Sequence, residues 1–350
     1  MFKSFTRITL LVYLTFMVAD GAFADDDDVL DIDPAKPNQS LLHVCKIDGT
    51  PIRPLVADKE FRHKFDRQGS PDVSADGKLV AFDAWAADEG FAWQEGRICI
   101  VNIDGTNAKD ISDGNMPSFS PDGTKLVFGR SAKYGKEDGA NGMSMWMIDS
   151  DGKNKKMLAD QGAWGARWSP DGKSIVFFGG VDEDGDRVKK SCLRLYDIET
   201  GKVSNVFSPK ESPFSKLNFF FKWIKGKKRT VAFGGQLKLG QASAIATIDV
   251  DKGRESLLFI ELGAKGAALS GQSFAWHPHD ETLLGAKYID GKPSLVSVAT
   301  TDTESETERL FEGIPENVSA HDPVYTPDAK NIIVSFRPYQ VPGGEEEDEE

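Results

Sequence analysis

Phe119-Ser-Pro-Asp-Gly-Thr-Lys-Leu-Val-Phe128 and Trp168-Ser-Pro-Asp-Gly-Lys-Ser-Ile-Val-Phe177 are two copies of one unit: an aromatic residue, a tight turn and a β-rich run. In the turn, proline sets φ near about −65° at the first central position. Aspartate accepts the crowded second position and binds its own backbone. Glycine takes φ > 0, so the chain reverses. A third copy is Val73-Ser-Ala-Asp-Gly77. Weaker ones are Trp223-Ile-Lys-Gly226, Trp276-His-Pro-His-Asp280 and Tyr325-Thr-Pro-Asp-Ala329. The leading residues are 46, 49, 55, 53 and 49 positions apart, and a strand is expected after each turn.

A second unit interleaves with the first. Arg97-Ile-Cys-Ile-Val-Asn-Ile-Asp-Gly105 is a strand running into an Asp-Gly turn, a pair suited to tight reversal. Its relatives end at Gly49, Gly152, Gly201 and Gly253, and a degenerate copy spans Ser294 to Thr301. Each repeat is then four antiparallel strands, A to D. Six such repeats, each of about 49 residues, predict an all-β fold: a six-bladed β-propeller of four-stranded antiparallel blades. The chain enters at Leu41 in a C–D pair and leaves at Phe336 after an A–B pair. These halves are expected to pair into one blade, closing the ring without an open edge. The propeller is placed at residues 41–338.

Composition agrees with a folded domain. The 350 residues are 39% hydrophobic, with 42 basic and 55 acidic side chains and a net charge of −13. No basic excess exists to neutralise phosphates, which excludes a nucleic-acid binder. Lys3 and Arg7, the apolar run Ile8 to Ala19, and Ala22-Phe23-Ala24 predict a signal peptide over residues 1–24. The apolar run falls short of the about 20 residues that span a bilayer. The mature chain, starting near Asp25, is thus expected to lack a transmembrane segment and to work in the periplasm or outside the cell. Residues 25–40 form an acidic N-terminal segment, and residues 339–350 an acidic tail. Both are expected to be disordered by like-charge repulsion. Cys45, Cys99 and Cys192 are odd in number and lie in strand-like runs, so buried free thiols are expected.

The two Ser-Pro-Asp-Gly segments and the strand ending Ile103-Asp-Gly-Thr106 resemble the WD40-like repeats of the TolB-type propeller family. The resemblance covers nearly the whole mature chain. It implies the propeller alone. The family's TolB proteins act in the cell envelope and carry an α/β domain ahead of the propeller, whereas about 16 residues separate the expected cleavage point from the first strand here. The repeat is also similar to the propellers of prolyl-oligopeptidase-like peptidases, whose Gly-x-Ser-x-Gly elbow is missing from this sequence. Exported oligogalacturonate lyases share the repeat type and act through a histidine-bound metal inside the ring.

The topology sorts residues by face. A–B and C–D turns belong to one rim, B–C loops and D–A linkers to the other. Long, dissimilar loops make the second rim the functional candidate. Its longest loop, Ala84 to Gly96, carries Trp85, Phe91 and Trp93. Tyr134 lies in the following loop, and Trp164 joins the same rim. His321 and Asp322 open an A strand and His63 sits in a D–A linker. Together these three form the expected metal or acid–base constellation. Asp182, Asp184 and Asp186 alternate as in a calcium loop, without its downstream glutamate. The leading aromatics are expected to pack blade against blade. The reading is a monomeric, exported, non-catalytic scaffold for a protein partner, with no cofactor beyond an optional calcium. One alternative is a metal-dependent lyase or hydrolase acting on an acidic polysaccharide, with His63 and His321 turned into the channel. Another is a calcium-stabilised structural module.

Overall fold

A computed structural model of the chain describes residues 29–160, 162–181, 187–227, 229–238, 244–260, 269–289, 292–300 and 308–339. Blade one is Arg67–Val73, Leu79–Trp85, Arg97–Asn102 and Lys109–Asp113, from strand A outward to strand D. Blade two is Asn115–Phe119, Lys125–Arg130, Ser144–Asp149 and Lys156–Ala159. Blade three is Trp164–Trp168, Ser174–Val181, Arg187–Asp197 and Val203–Asn205. Blade four is Lys216–Trp223, Thr230–Gln236, Ala244–Asp249 and Leu258–Phe259. Blade five is Leu269–Trp276, Thr282–Ile289, Lys292–Ala299 and Glu308–Leu310. Blade six takes strands A and B from Val318–Tyr325 and Asn331–Pro338, and strands C and D from Leu41–Lys46 and Pro51–Pro54. The expected closure is formed, with Leu41 opposite Phe336 and Lys46 opposite Asn331. The A strands follow one another around a central channel.

The turn chemistry works as the residues demand. Asp122 Oδ1 accepts from Ser120 Oγ at 2.6 Å and from Thr124 N at 3.0 Å, and Gly123 sits at φ 71°. Asp76, Asp171 and Asp328 repeat the arrangement in blades one, three and six. B strands lie inside the blades, and Phe82, Phe128, Phe177 and Phe233, at matching positions in four of them, are fully buried. That is why these strands read as unbroken apolar runs. Strands B run past their expected ends, to Trp85, Arg130 and Gln236 in blades one, two and four.

One expectation is corrected. The part of the acidic segment from Val29 to Ser40 is packed against the ring. Leu30 and Ile32 lie on the apolar cluster of the closing blade. Asp31 pairs with Arg62 at 2.7 Å, and the Leu30 carbonyl meets His43 Nε2 at 2.6 Å. Apolar burial and the buried Arg62 guanidinium outweigh repulsion among the carboxylates here. The three cysteines are buried thiols outside any disulfide. Among the described residues, no helix is long and apolar enough to cross a membrane. The signal-peptide residues 1–24, the stretch 340–350, and Asp182, Asp184 and Asp186 lie outside the described residues.

Candidate functional site: two ends of one channel

Strand A is bulged in blades one, two, three and six. The register with strand B slips between Gly69 and Asp72, Asn115 and Ser118, Trp164 and Arg167, and His321 and Val324. Ser70, Met116, Gly165 and Asp322 stand at the slip with φ of 48°, 55°, 65° and 48°. For the three non-glycine residues this is a costly conformation, about 1–3 kcal/mol each. A bulge leaves a backbone N–H outside the ladder. In blade two the neighbouring blade supplies the acceptor: Asp83 takes the Met116 N–H at 2.8 Å. Further along, Asp72 accepts the Phe119 N–H at 2.7 Å and Ser118 Oγ the Trp168 N–H at 3.2 Å. These bonds tie consecutive blades together at the channel wall.

On the long-loop rim a pocket of about 170 Å³ lies between Trp85, Trp93, Trp164, Met116, Arg67, Arg337, Asp83 and Asp322. The Trp93 and Trp164 rings meet edge to face, 5.6 Å between centroids. Trp164 lies against the backbone of Gly129, where a Cβ would come within 2.7 Å of the ring. Trp93 is 41% exposed. Its loop is held from below, because Asp66 accepts from Ala87 N at 2.6 Å and from Asp88 N at 2.9 Å. The Arg67 guanidinium stands 5.9 Å from the Trp85 ring centre. The Asp83 and Asp322 carboxylates both border Gly69, where a Cβ would stand 3.4 and 3.3 Å from them. Burial, reinforced by the nearby charge of Asp322, pushes Asp83 up to about 6. Burial and Arg337 lower Arg67 to about 10. His321 is lowered to about 4 by burial and by Arg337, so it is neutral at pH 7.

Trp85, Trp93, Trp164 and Asp322 thus line one pocket, with His321 beside Asp322 in the same strand. Phe91 is 47% exposed on the same loop but does not line the pocket. Tyr134 stands on the helix Ala132–Gly135, 5.7 Å from the Lys133 ammonium, also outside the pocket. The constellation of His63 with His321 is not formed. The helix Lys59–Lys64, capped by Asp58, turns Phe61 and Phe65 toward the core and leaves His63 exposed, 3.9 Å from Asp31. His63 lines neither end of the channel, so the arrangement that the lyase reading requires is absent. Among the described residues, no group of three or more His, Cys, Asp or Glu is placed to hold a metal ion. Arg67, Asp83 and Arg337 were not anticipated. Asp83 carried a signal, as the one carboxylate within the apolar run Leu79–Trp85.

At the turn rim the channel widens to a cavity of about 510 Å³ that touches all six blades. Its wall includes Asp72, Ser118, Arg167, Lys222 and Val324, each the residue before a leading one. The leading residues pack as expected: Trp168 and Tyr325 are buried, and Tyr325 meets His277 of the neighbouring blade at 4.8 Å. Enclosure and the neighbouring Arg167 bring the Lys222 ammonium down to about 8.

No family model matches the sequence, and neither does any curated protein sequence. Solved structures do match. TolB from Acinetobacter baumannii is 14% identical over 87% of this chain, with a TM-score of 0.50, and the chain spans 65% of that protein's length. A protein described as TolB from Agrobacterium tumefaciens is 16% identical over 87% of this chain and 99% of its own, with a TM-score of 0.60. At this identity the likeness is one of fold, and the fold is that of the TolB-type six-bladed propeller.

Proposed function

We propose that this propeller is a non-catalytic scaffold, exported to the periplasm or beyond the cell, that binds a protein partner on its long-loop rim. The carrying observation is Trp93, half exposed and edge-on to the buried Trp164, above a small pocket holding charges of both signs. Aromatic anchors of this kind are where binding energy concentrates in protein interfaces. A pocket of about 170 Å³ suits one or two side chains of a partner. It falls below the range of about 300–1,000 Å³ typical of small-molecule sites. Arg67, Arg337 and Asp322 would fix the orientation of the inserted group. The TolB neighbours support this reading at the level of fold.

The test is capture of a partner from envelope extract on the immobilised protein, followed by titration of the purified pair. Joint Trp85→Ala and Trp93→Ala substitution is expected to weaken binding by about thirtyfold, equivalent to about 2 kcal/mol. Lys225→Ala, on the opposite rim, should leave it unchanged. Full retention of every captured protein by the double variant rejects the proposal.

A further inference from the structure

We propose that the turn-rim cavity of the channel is a binding site for an organic carboxylate with a flat apolar body. Arg167 and Lys222, from adjacent blades, both line the cavity, with Lys225 also in its wall. The carboxylate facing them is Asp72, and one of its oxygens is already engaged by the Phe119 N–H. Arg167 is only 5% exposed. Its Nη1 donates to the carbonyls of Ala166 at 2.9 Å and Met116 at 3.1 Å. Among the described residues its Nε is a buried donor without an acceptor, and so is Nε1 of the adjacent Trp168. The Nε–Nη2 edge of arginine is the fork that matches a carboxylate in two parallel hydrogen bonds. Among the described residues, no hydrogen bond is made from that edge.

Lys222 makes no ion pair or hydrogen bond among the described residues. The groups acting on it are Arg167, Asp72 and, from farther up the channel, Asp322. In the cavity wall, cations and N–H donors outnumber carboxylates, while Asp83 and Asp322, from farther up the channel, also act on Arg167. A bound anion would complete the balance within the wall. The walls decide the rest of the ligand. Phe119, Trp168, Trp223 and Val324 give an apolar, largely aromatic lining. A cavity of about 510 Å³ accommodates a molecule and not only an ion.

The intact protein is titrated with benzoate, neutral benzamide and inorganic phosphate, followed by calorimetry and tryptophan fluorescence. Benzoate is expected to bind saturably and at least tenfold tighter than benzamide or phosphate. Its affinity should be level between about pH 6 and 7 and fall as Lys222 loses its proton above about 8. Lys222→Gln should weaken benzoate at least tenfold and remove that fall, while Lys222→Arg keeps the affinity and shifts the fall upward. The wild-type comparison of benzoate with benzamide decides the matter even if the variants fold poorly. No saturable benzoate binding, benzamide or phosphate binding as tightly as benzoate, or an unchanged Lys222→Gln would each overturn the proposal. The Trp85 and Trp93 double variant should bind benzoate normally, so this site and the opposite rim fail or stand separately.

Discussion

Asp83 is a carboxyl group held against its solution preference. Burial and Asp322 raise it to about 6 from 3.8, while the Met116 N–H bond only partly compensates. The folded protein thus binds the Asp83 proton more tightly than the unfolded chain does. The associated stability is complete below about pH 3.8 and is lost as pH rises through about 6, a span of roughly 3 kcal/mol. Asp83→Asn keeps an oxygen for Met116 N and removes the titration. Denaturant unfolding at about pH 4 and about pH 7 should show the variant gaining on the wild type at the higher pH by that order. A pH-independent difference between the two proteins would count against the assignment.

At the level of strands and turns, Ala329 occupies the place that glycine holds in the Ser-Pro-Asp-Gly copies, at φ 56°. A left-handed residue with a Cβ is strained by about 1–2 kcal/mol. Ala329→Gly is therefore expected to stabilise the protein by up to about 1 kcal/mol, after the extra chain entropy of glycine is subtracted. Thermal melting decides the sign. Gly129→Ala should act in the opposite sense. Its methyl group would meet the Trp164 ring at 2.7 Å, so the ring must move. Overpacking of this kind costs about 1–3 kcal/mol. Near-ultraviolet circular dichroism should change with the lost Trp93–Trp164 contact, and on the proposed function partner capture by this rim should weaken. An unaltered spectrum would show that Trp164 is not seated by Gly129.

The ring as a whole depends on the closing blade. Strand Leu41–Lys46 pairs along its full length with Asn331–Phe336. Buried side chains reinforce the seam: Ser40 and Ser335 hydroxyls hydrogen-bond at 2.5 Å, and both stand within reach of the Gln68 carbonyl of blade one, at 3.0 and 3.2 Å, so one donates to that carbonyl while the other donates across the pair. Removing residues 29–54 would expose strand B of blade six as an unpaired edge. Calorimetry on that truncated chain should show no single cooperative transition, with aggregation detected by light scattering. Retention of the full-length melting profile would mean that the ring does not need its clasp.

The number of blades, their four strands and their closure were legible in the residues. Their determinants are local and repeated: a Pro-Asp-Gly turn imposes its own φ values over four residues, and six copies in register make any misreading inconsistent. The aromatic rim was half legible, because Trp85 and Trp93 share a loop while Trp164 reaches them from two blades away. Only the tertiary structure decided what the channel contains. The bulge in strand A adds a residue and resets the side-chain alternation, so inward and outward positions cannot be counted from the sequence. Asp83 and Asp322 meet only because the ring closes, and Arg167 and Lys222 become neighbours only because blades three and four stand side by side. His63 left the predicted cluster for the same kind of reason: its short helix had to bury Phe61 and Phe65, and the histidine went where that packing sent it.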